Sequence, residues 1–255
     1  MNQKPNFFTR VYPLRVSDFD KNNRVLPSAV LDIFQDAAGA HATQLGINGI
    51  DLLRDGRCWM LTRVRYEVLK QPALYQDLVV KTWPVESKRI ELDRDFLIYD
   101  ENDELLIRGS SQWVVMDISD RESPKLVPAR DFEFGLDEYV TERSFERAFP
   151  RAVYGEIVSE NPYPCRSEYS DLDMNDHVNN IKYAKFALNA VAPELSGSSE
   201  ISAFRIDFSK EVRAGELLNV HYKRVENPDG TIDLICRGET EATPSNFTVK
   251  FTVKN

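Results

Sequence analysis

Asp173, Asn175 and His177 alternate within the run Asp171-Leu172-Asp173-Met174-Asn175-Asp176-His177-Val178. In an extended or turning segment, alternate residues project to the same side. They stand just before an amphipathic stretch that predicts a helix, and the first backbone N–H groups of a helix lack partners within it. A carboxylate, an amide and an imidazole beside free amides are what acyl hydrolysis requires: a water-positioning group, a proton carrier and donors for an oxyanion. The same residues also have a purely structural use, because Asp and Asn before a helix are favoured as caps and turn formers.

Other chemistries fit less well. Asp171, Asp173 and Asn175 imitate the start of an EF-hand, but that loop needs Gly at its sixth position and Glu at its twelfth, where this chain has Asp176 and Lys182. His41, His177 and His221 form no short ligand spacing such as HExxH, so no metal is expected. There is no GxSxG nucleophile elbow and no glycine-rich phosphate loop, which argues against a serine hydrolase and a nucleotide enzyme and leaves no cofactor to expect.

The elements that must position these residues occur twice. Ser17-Asp18-Phe19-Asp20-Lys21-Asn22-Asn23-Arg24-Val25 returns without a gap as Ser170 to Val178, with Arg24 in the first copy where the second has His177. Each copy is followed by a helical pattern and then by strands. In the first half, strand 7–16 precedes a helix beginning near Ser28, with Val30, Leu31, Phe34, Ala37 and Ala38 on its apolar face and Gly46 at its end. Strands 58–69, 78–85, 90–99 and 105–117 follow. The second half repeats the plan with strand 163–170, a helix from about Val178 to Val191 stopped by Pro193, and strands 201–212, 217–226, 232–242 and 247–253. Between them lies a proline-marked stretch with a charged, helix-compatible segment from Asp137 to Arg147. The reading is a first domain at 1–126, a linker at 127–162 and a second domain at 163–255. No crossover helices separate the last four strands of each half, so the class is α+β, with an antiparallel sheet curled around one long helix.

Composition agrees with a globular pair of domains. The chain has 255 residues, 42% hydrophobic and 29% charged, and no apolar run approaches the roughly 20 residues of a membrane helix, so no membrane insertion is expected. Its formal charge of −9 argues against nucleic acid as a partner. The opening Met1 to Pro5 lacks the apolar core of a signal peptide, and Cys58, Cys165 and Cys236 form no CxxC, which together predict a cytoplasmic protein with reduced thiols.

The run Asp171 to Tyr183, with its DxNxHVNN core, resembles the signature segment of the acyl-acyl carrier protein (acyl-ACP) thioesterases, the fatty-acid chain terminators of plant plastids and bacteria. Trp113-Val114-Val115-Met116-Asp117 with the following Pro128, and Arg15 to Asp20, are similar to that family too. The resemblance covers nearly the whole chain. It implies two tandem hotdog domains, each a long helix wrapped by an antiparallel sheet, and a metal-free thioester hydrolase releasing free fatty acid and holo-ACP. Its catalytic set carries over to Asp173, Asn175, His177 and Glu211, the last of which reads otherwise as an exposed strand carboxylate. Plant relatives often have cysteine after that glutamate, whereas this chain has Val212, so a thiol nucleophile is not required. Glu211 or Asp173 then activates water or attacks the thioester directly, with Asn175 and His177 orienting the attack and stabilising charge and the backbone amides of Val178 and Asn179 receiving the oxyanion.

The family further implies that the first domain holds the acyl chain; Phe34, Trp59, Met60 and Trp83 are candidates for its lining and read equally as plain core from the sequence. Because the carrier protein is acidic, Lys182, Lys185, Lys210 and Arg213 are the candidate docking residues. Either a monomer or a homodimer fits, since two domains in one chain supply the pairing that single-domain relatives reach by dimerising. Three other readings stay open: a coenzyme A thioesterase of the same fold, a hydratase or dehydratase, and a non-catalytic acyl-binding module.

Overall fold

The computed structural model describes residues 4–87, 90–120, 122–146, 149–174 and 176–254. In the first half, β1 (Phe8–Pro13) leads to α1 (Pro27–Leu45), a short α2 (Gly49–Arg54) and then β2 (Arg57–Val68), β3 (Asp77–Pro84), β4 (Leu92–Tyr99) and β5 (Leu105–Asp117), with β6 (Lys125–Val127) added to β5. The second half contains β7 (Tyr163–Arg166), α3 (Asn180–Val191), β8 (Glu200–Phe208), β9 (Leu217–Glu226), β10 (Ile232–Thr240) and β11 (Thr243–Lys254). The strand orders are β1-β3-β4-β5-β2 and β7-β9-β10-β11-β8, the same permutation of each half's own strands. Neighbours with assigned register are antiparallel throughout. This is the tandem hotdog plan, α+β, that the repeat and the resemblance anticipated.

Grouped by proximity, residues 1–16, 32–64 and 69–148 form one unit, and 17–31, 65–68 and 149–255 form the other. The repeated phrase of the first half, residues 17–31, therefore counts with the second unit.

Local chemistry explains both helix boundaries. Pro27 opens α1, where its missing N–H costs nothing and its fixed φ is already helical. Gly46 closes it at φ 74°, with Gly46 N–H donating to Thr43 O and Ile47 N–H to Ala42 O, a Schellman pair that a left-handed residue permits. The helix α3 starts two residues later than expected, because Val178 is held in a bridge to Leu172 and the Asn179 side chain caps the helix by accepting from Ile181 N–H at 3.0 Å.

The two interiors differ. In the first unit Phe34 of α1 stacks on Phe96 of β4, with ring centroids 4.1 Å apart. In the second unit, Tyr183 of α3 meets Phe208 and Phe247, while Phe204 and Phe251 fill the sheet beside them. Gly238 makes room for this filling, since a Cβ there would lie 2.1 Å from the Phe247 ring.

The stretch after β5 is packed rather than free. Phe132 and Phe134 enter a buried cluster with Leu45 and Leu92, and Trp59 packs against both rings. The expected helix from Asp137 is not formed over the described residues to 146; Arg147 lies outside them. Its polar groups serve the sheet instead: Ser144 N–H and Arg143 Nε–H donate to Asp95 Oδ2 at 3.0 and 2.9 Å, and Ser144 Oγ–H donates to Gly109 O at 2.7 Å. Helical i to i−4 bonding would forfeit these contacts. Of the residues read as possible lining, Met60 is exposed and Trp83 packs with Val85 and Leu97 on the sheet face opposite Thr82 and Phe96.

Candidate active site

Both copies of the repeated phrase build the same turn. In the first, Asp20 N–H donates to Arg24 O at 2.8 Å, Asn23 N–H to Asp20 O at 3.1 Å, and Arg24 N–H to Asp20 Oδ1 at 2.9 Å. In the second, Asp173 N–H donates to His177 O at 2.8 Å, Asp176 N–H to Asp173 O at 3.1 Å, and His177 N–H to Asp173 Oδ1 at 3.4 Å. Asn23 and Asp176 occupy the left-handed region at φ 58° and 62°, which short polar side chains tolerate best after glycine. Asp173 thus does what Asp20 does in a copy without histidine, and its carboxylate holds the loop closed.

The turn delivers His177 to the segment that follows β8, since the strand expected over 201–212 ends at Phe208. His177 bridges Arg213, and Val178 N–H donates to Val212 O at 3.0 Å, so a short antiparallel ladder sets the imidazole beside residue 211. His177 Nε2 lies 3.6 Å from Glu211 Oε1, and both side chains are little more than a third exposed. That distance is slightly beyond a hydrogen bond, a separation that commonly tightens when substrate is bound. Arg213 Nη2 stands 3.8 Å from the same carboxylate oxygen.

Two residues that the sequence reading did not single out fix this segment. Tyr183, one turn into α3, is buried and its hydroxyl oxygen accepts from Val212 N–H at 2.9 Å. Burial pushes its phenol up to about 12, with Glu211 and Asp173 adding negative charge and the Val212 amide opposing, so it stays neutral. Asn246 of β11, also buried, donates from Nδ2 to Glu211 O at 3.2 Å and accepts from Ser209 and Lys210 N–H at its own carbonyl. The tyrosine was detectable in principle, because a Tyr on an otherwise small-residue helix face needs a partner for its hydroxyl when buried. Nothing in the sequence marks Asn246.

Three assignments need correction or qualification. The amides of Val178 and Asn179 are not available to an oxyanion, because they donate to Val212 O and Asp171 O at 3.0 and 2.8 Å. Both precede the helix and belong to the turn's own bonding. Among the described residues the first helix amide without a protein acceptor is that of Asn180. Lys182 is already engaged, donating to Ser170 O at 2.8 Å and pairing with Asp171 at 3.2 Å, whereas Lys185, Lys210 and Arg213 are exposed. Asn175 lies outside the described residues.

The turn after this segment is also duplicated. Arg213 N–H donates to the Glu216 side chain as Ala73 N–H does to that of Gln76, and Gly215 and Tyr75 both have positive φ. In that register Gln71 occupies the place of Glu211. The first copy therefore carries Arg24 and Gln71 where the second carries His177 and Glu211, and a proton carrier survives in only one of them.

Two domain profiles match the chain: the acyl-ACP thioesterase N-terminal domain over residues 5–129, and the acyl-ACP thioesterase C-terminal domain over residues 156–252. A chloroplastic acyl-[acyl-carrier-protein] hydrolase of Cuphea viscosissima is 24% identical over 83% of this chain and 53% of its own length. The chain thus spans about half the length of that relative. Among solved structures, the 12:0-ACP thioesterase from Umbellularia californica superposes with a TM-score of 0.84 at 19% identity, over 97% of this chain and 94% of that one. An acyl-ACP thioesterase from Bacteroides thetaiotaomicron gives 0.78 at 21% identity over the whole of both chains. At such identities these likenesses speak for the fold.

Proposed function

We infer the reaction from one premise: the chain belongs to the acyl-ACP thioesterase family. The proposed activity is hydrolysis of a fatty acyl-ACP thioester to free fatty acid and holo-ACP. The observation that carries it is the pairing of His177 with Glu211, 3.6 Å apart, in the only copy that retains both groups.

In this reading Glu211 takes a proton from a water molecule, whose oxygen bonds to the thioester carbonyl carbon. The carbonyl oxygen gains the charge and is met by the Asn180 amide at the start of α3. Collapse re-forms the C=O bond, breaks the C–S bond, and the sulfur leaves as a thiol carrying the proton that Glu211 and His177 held. Asn175 keeps the water-orienting role implied by the resemblance. Asp173 is assigned to the turn rather than to proton transfer, because Asp20 makes the same bonds where no histidine follows.

The second unit is the catalytic one, and the first receives the acyl chain. Supporting that division, the space between α3 and its sheet is filled by the rings of Tyr183, Phe204, Phe247 and Phe251. Lys185, Lys210 and Arg213 are the proposed contacts for an acidic carrier.

The test is fatty-acid release from matched acyl-ACP and acyl-coenzyme A thioesters by the wild type, His177→Ala and Glu211→Ala. Carrier-protein preference, with kcat/KM lowered about 100-fold or more in both variants, is the expected result. Equal turnover of both carriers would reassign the thiol, and hydrolysis unaffected by either substitution would reject this site.

A further inference from the structure

The fork of hydrogen bonds beside Glu211 is built twice, and the first half builds it without a carboxylate. Ser209 and Lys210 N–H both donate to Asn246 O, at 2.9 and 3.1 Å, and Leu69 and Lys70 N–H both donate to Leu106 O, at 2.8 and 3.2 Å. The register that sets Gln71 against Glu211 therefore sets Leu106 against Asn246. This fork uses main-chain atoms alone, and it forms over a leucine as well as over an asparagine.

The Asn246 side chain adds what the fork does not need. Asn246 and Leu106 are each 1% exposed. Asn246 Nδ2 lies 3.2 Å from Glu211 O and 3.4 Å from Lys210 O, and since carbonyls only accept, the NH2 end of the amide faces them. Its Oδ1 is buried and, among the described residues, has no donor. A buried amide with one end unpaired is costly, and leucine at the matching position carries no such cost. A second tie is likewise confined to this copy. Tyr183 accepts from Val212 N–H, whereas the matching residues of the first copy are Val30, which has no hydroxyl, and Pro72, which has no N–H.

Glu211 C=O and Val212 N–H belong to one planar peptide unit. Asn246 holds its oxygen and Tyr183 its hydrogen, so the unit is gripped on both edges and held against rotation about the bond that leads from the Glu211 Cα. We propose that Asn246 is a positioning residue for Glu211. Through this peptide it keeps the carboxylate 3.6 Å from His177 Nε2, and the fold tolerates an unpaired buried oxygen to keep it there. The inference rests on the acyl-thioesterase reading for what Glu211 does, while the grip itself is independent of that reading.

The experiment uses the full chain as wild type, Asn246→Leu and Asn246→Ala, the second being too small to overpack the site, each also combined with Glu211→Gln. Thermal melts are recorded beside kcat and KM on acyl-ACP. Asn246→Leu is expected to melt at or above the wild type, and both variants to lose about 10-fold or more in kcat with KM held within about twofold. In the Glu211→Gln background neither substitution should lower kcat further, because the group being positioned is already gone. Variants that keep the wild-type kcat, whatever their melting temperature, overturn the proposal and leave Asn246 a structural residue. A loss that adds in full to that of Glu211→Gln overturns it as well. The wild type tells the two failures apart: no hydrolysis by it rejects the function, and with it the role of Glu211, whereas hydrolysis that both Asn246 variants retain rejects only the role of Asn246.

Discussion

Replacing Tyr183 with Phe removes one oxygen atom and tests how the segment carrying Glu211, the proposed base, is held. The phenylalanine ring keeps the edge contacts with Phe186, Phe208 and Phe247, so the loss is confined to the acceptor of the Val212 amide. That amide is on a residue 1% exposed and its acceptor on one 2% exposed, so water cannot replace the hydroxyl without opening the packing. A buried N–H left without a partner costs about 1–3 kcal/mol. In a protein of this size that corresponds to a fall in Tm of roughly 2–10 °C. Val212 adjoins Glu211, so a small displacement of the carboxylate should lower kcat about 10- to 100-fold with KM little changed. Differential scanning fluorimetry and steady-state kinetics on acyl-ACP measure the two effects. A variant that melts with the wild type, or that keeps full kcat, refutes the argument that this hydroxyl positions the base.

Three further outcomes are expected. Glu211→Gln should lose about 100-fold or more in kcat, whereas Asp173→Asn, which retains a turn-closing oxygen, should lose far less; equal losses would restore Asp173 as a candidate base. His41, depressed to about 4 in the folded state from an ordinary 6.5, contributes stability that is full above pH 6.5 and is lost as pH falls toward 4, up to about 3 kcal/mol; urea midpoints should show that acid slope in the wild type and a shallower one in His41→Gln. Charge reversal at Lys210 and Arg213 together should raise KM for acyl-ACP several-fold and flatten its salt dependence while leaving stability within about 0.5 kcal/mol, and an unchanged KM would remove them from the docking surface.

Much of this architecture is legible in the sequence because it is local or repeated. The Asp-x-Asp phrase, helix periodicity and Gly46 encode elements through nearest neighbours. The duplication then requires the two halves to share one strand order, while the order itself comes from the structure. What was not legible depends on distant partners. The segment from Asp137 reads as a helix by charge pattern, yet Asp95 and Gly109 compete for its donors from strands far away in sequence. Val178 and Asn179 read as free helix-start amides until Val212 and Asp171 are seen to accept from them. Glu211 was reached through family resemblance alone, since its relation to His177 is created by a two-residue ladder rather than by any spacing rule. Tyr183 and Asn246 act through single buried hydrogen bonds, which leave no periodic trace.

The duplicated turn has an evolutionary consequence. Its closure depends on Asp20 or Asp173 and on backbone bonds, and the residue at its end enters that closure only through its main chain, while the side chains go to different partners, Arg24 to Glu200 at 2.9 Å and His177 to Glu211 at 3.6 Å. The closure of the turn is therefore indifferent to which side chain stands there. On the proposed function, a single replacement of His177 would leave the turn closed and the chain folded while removing turnover, a pseudoenzyme. The first copy shows that the scaffold already carries the replaced form.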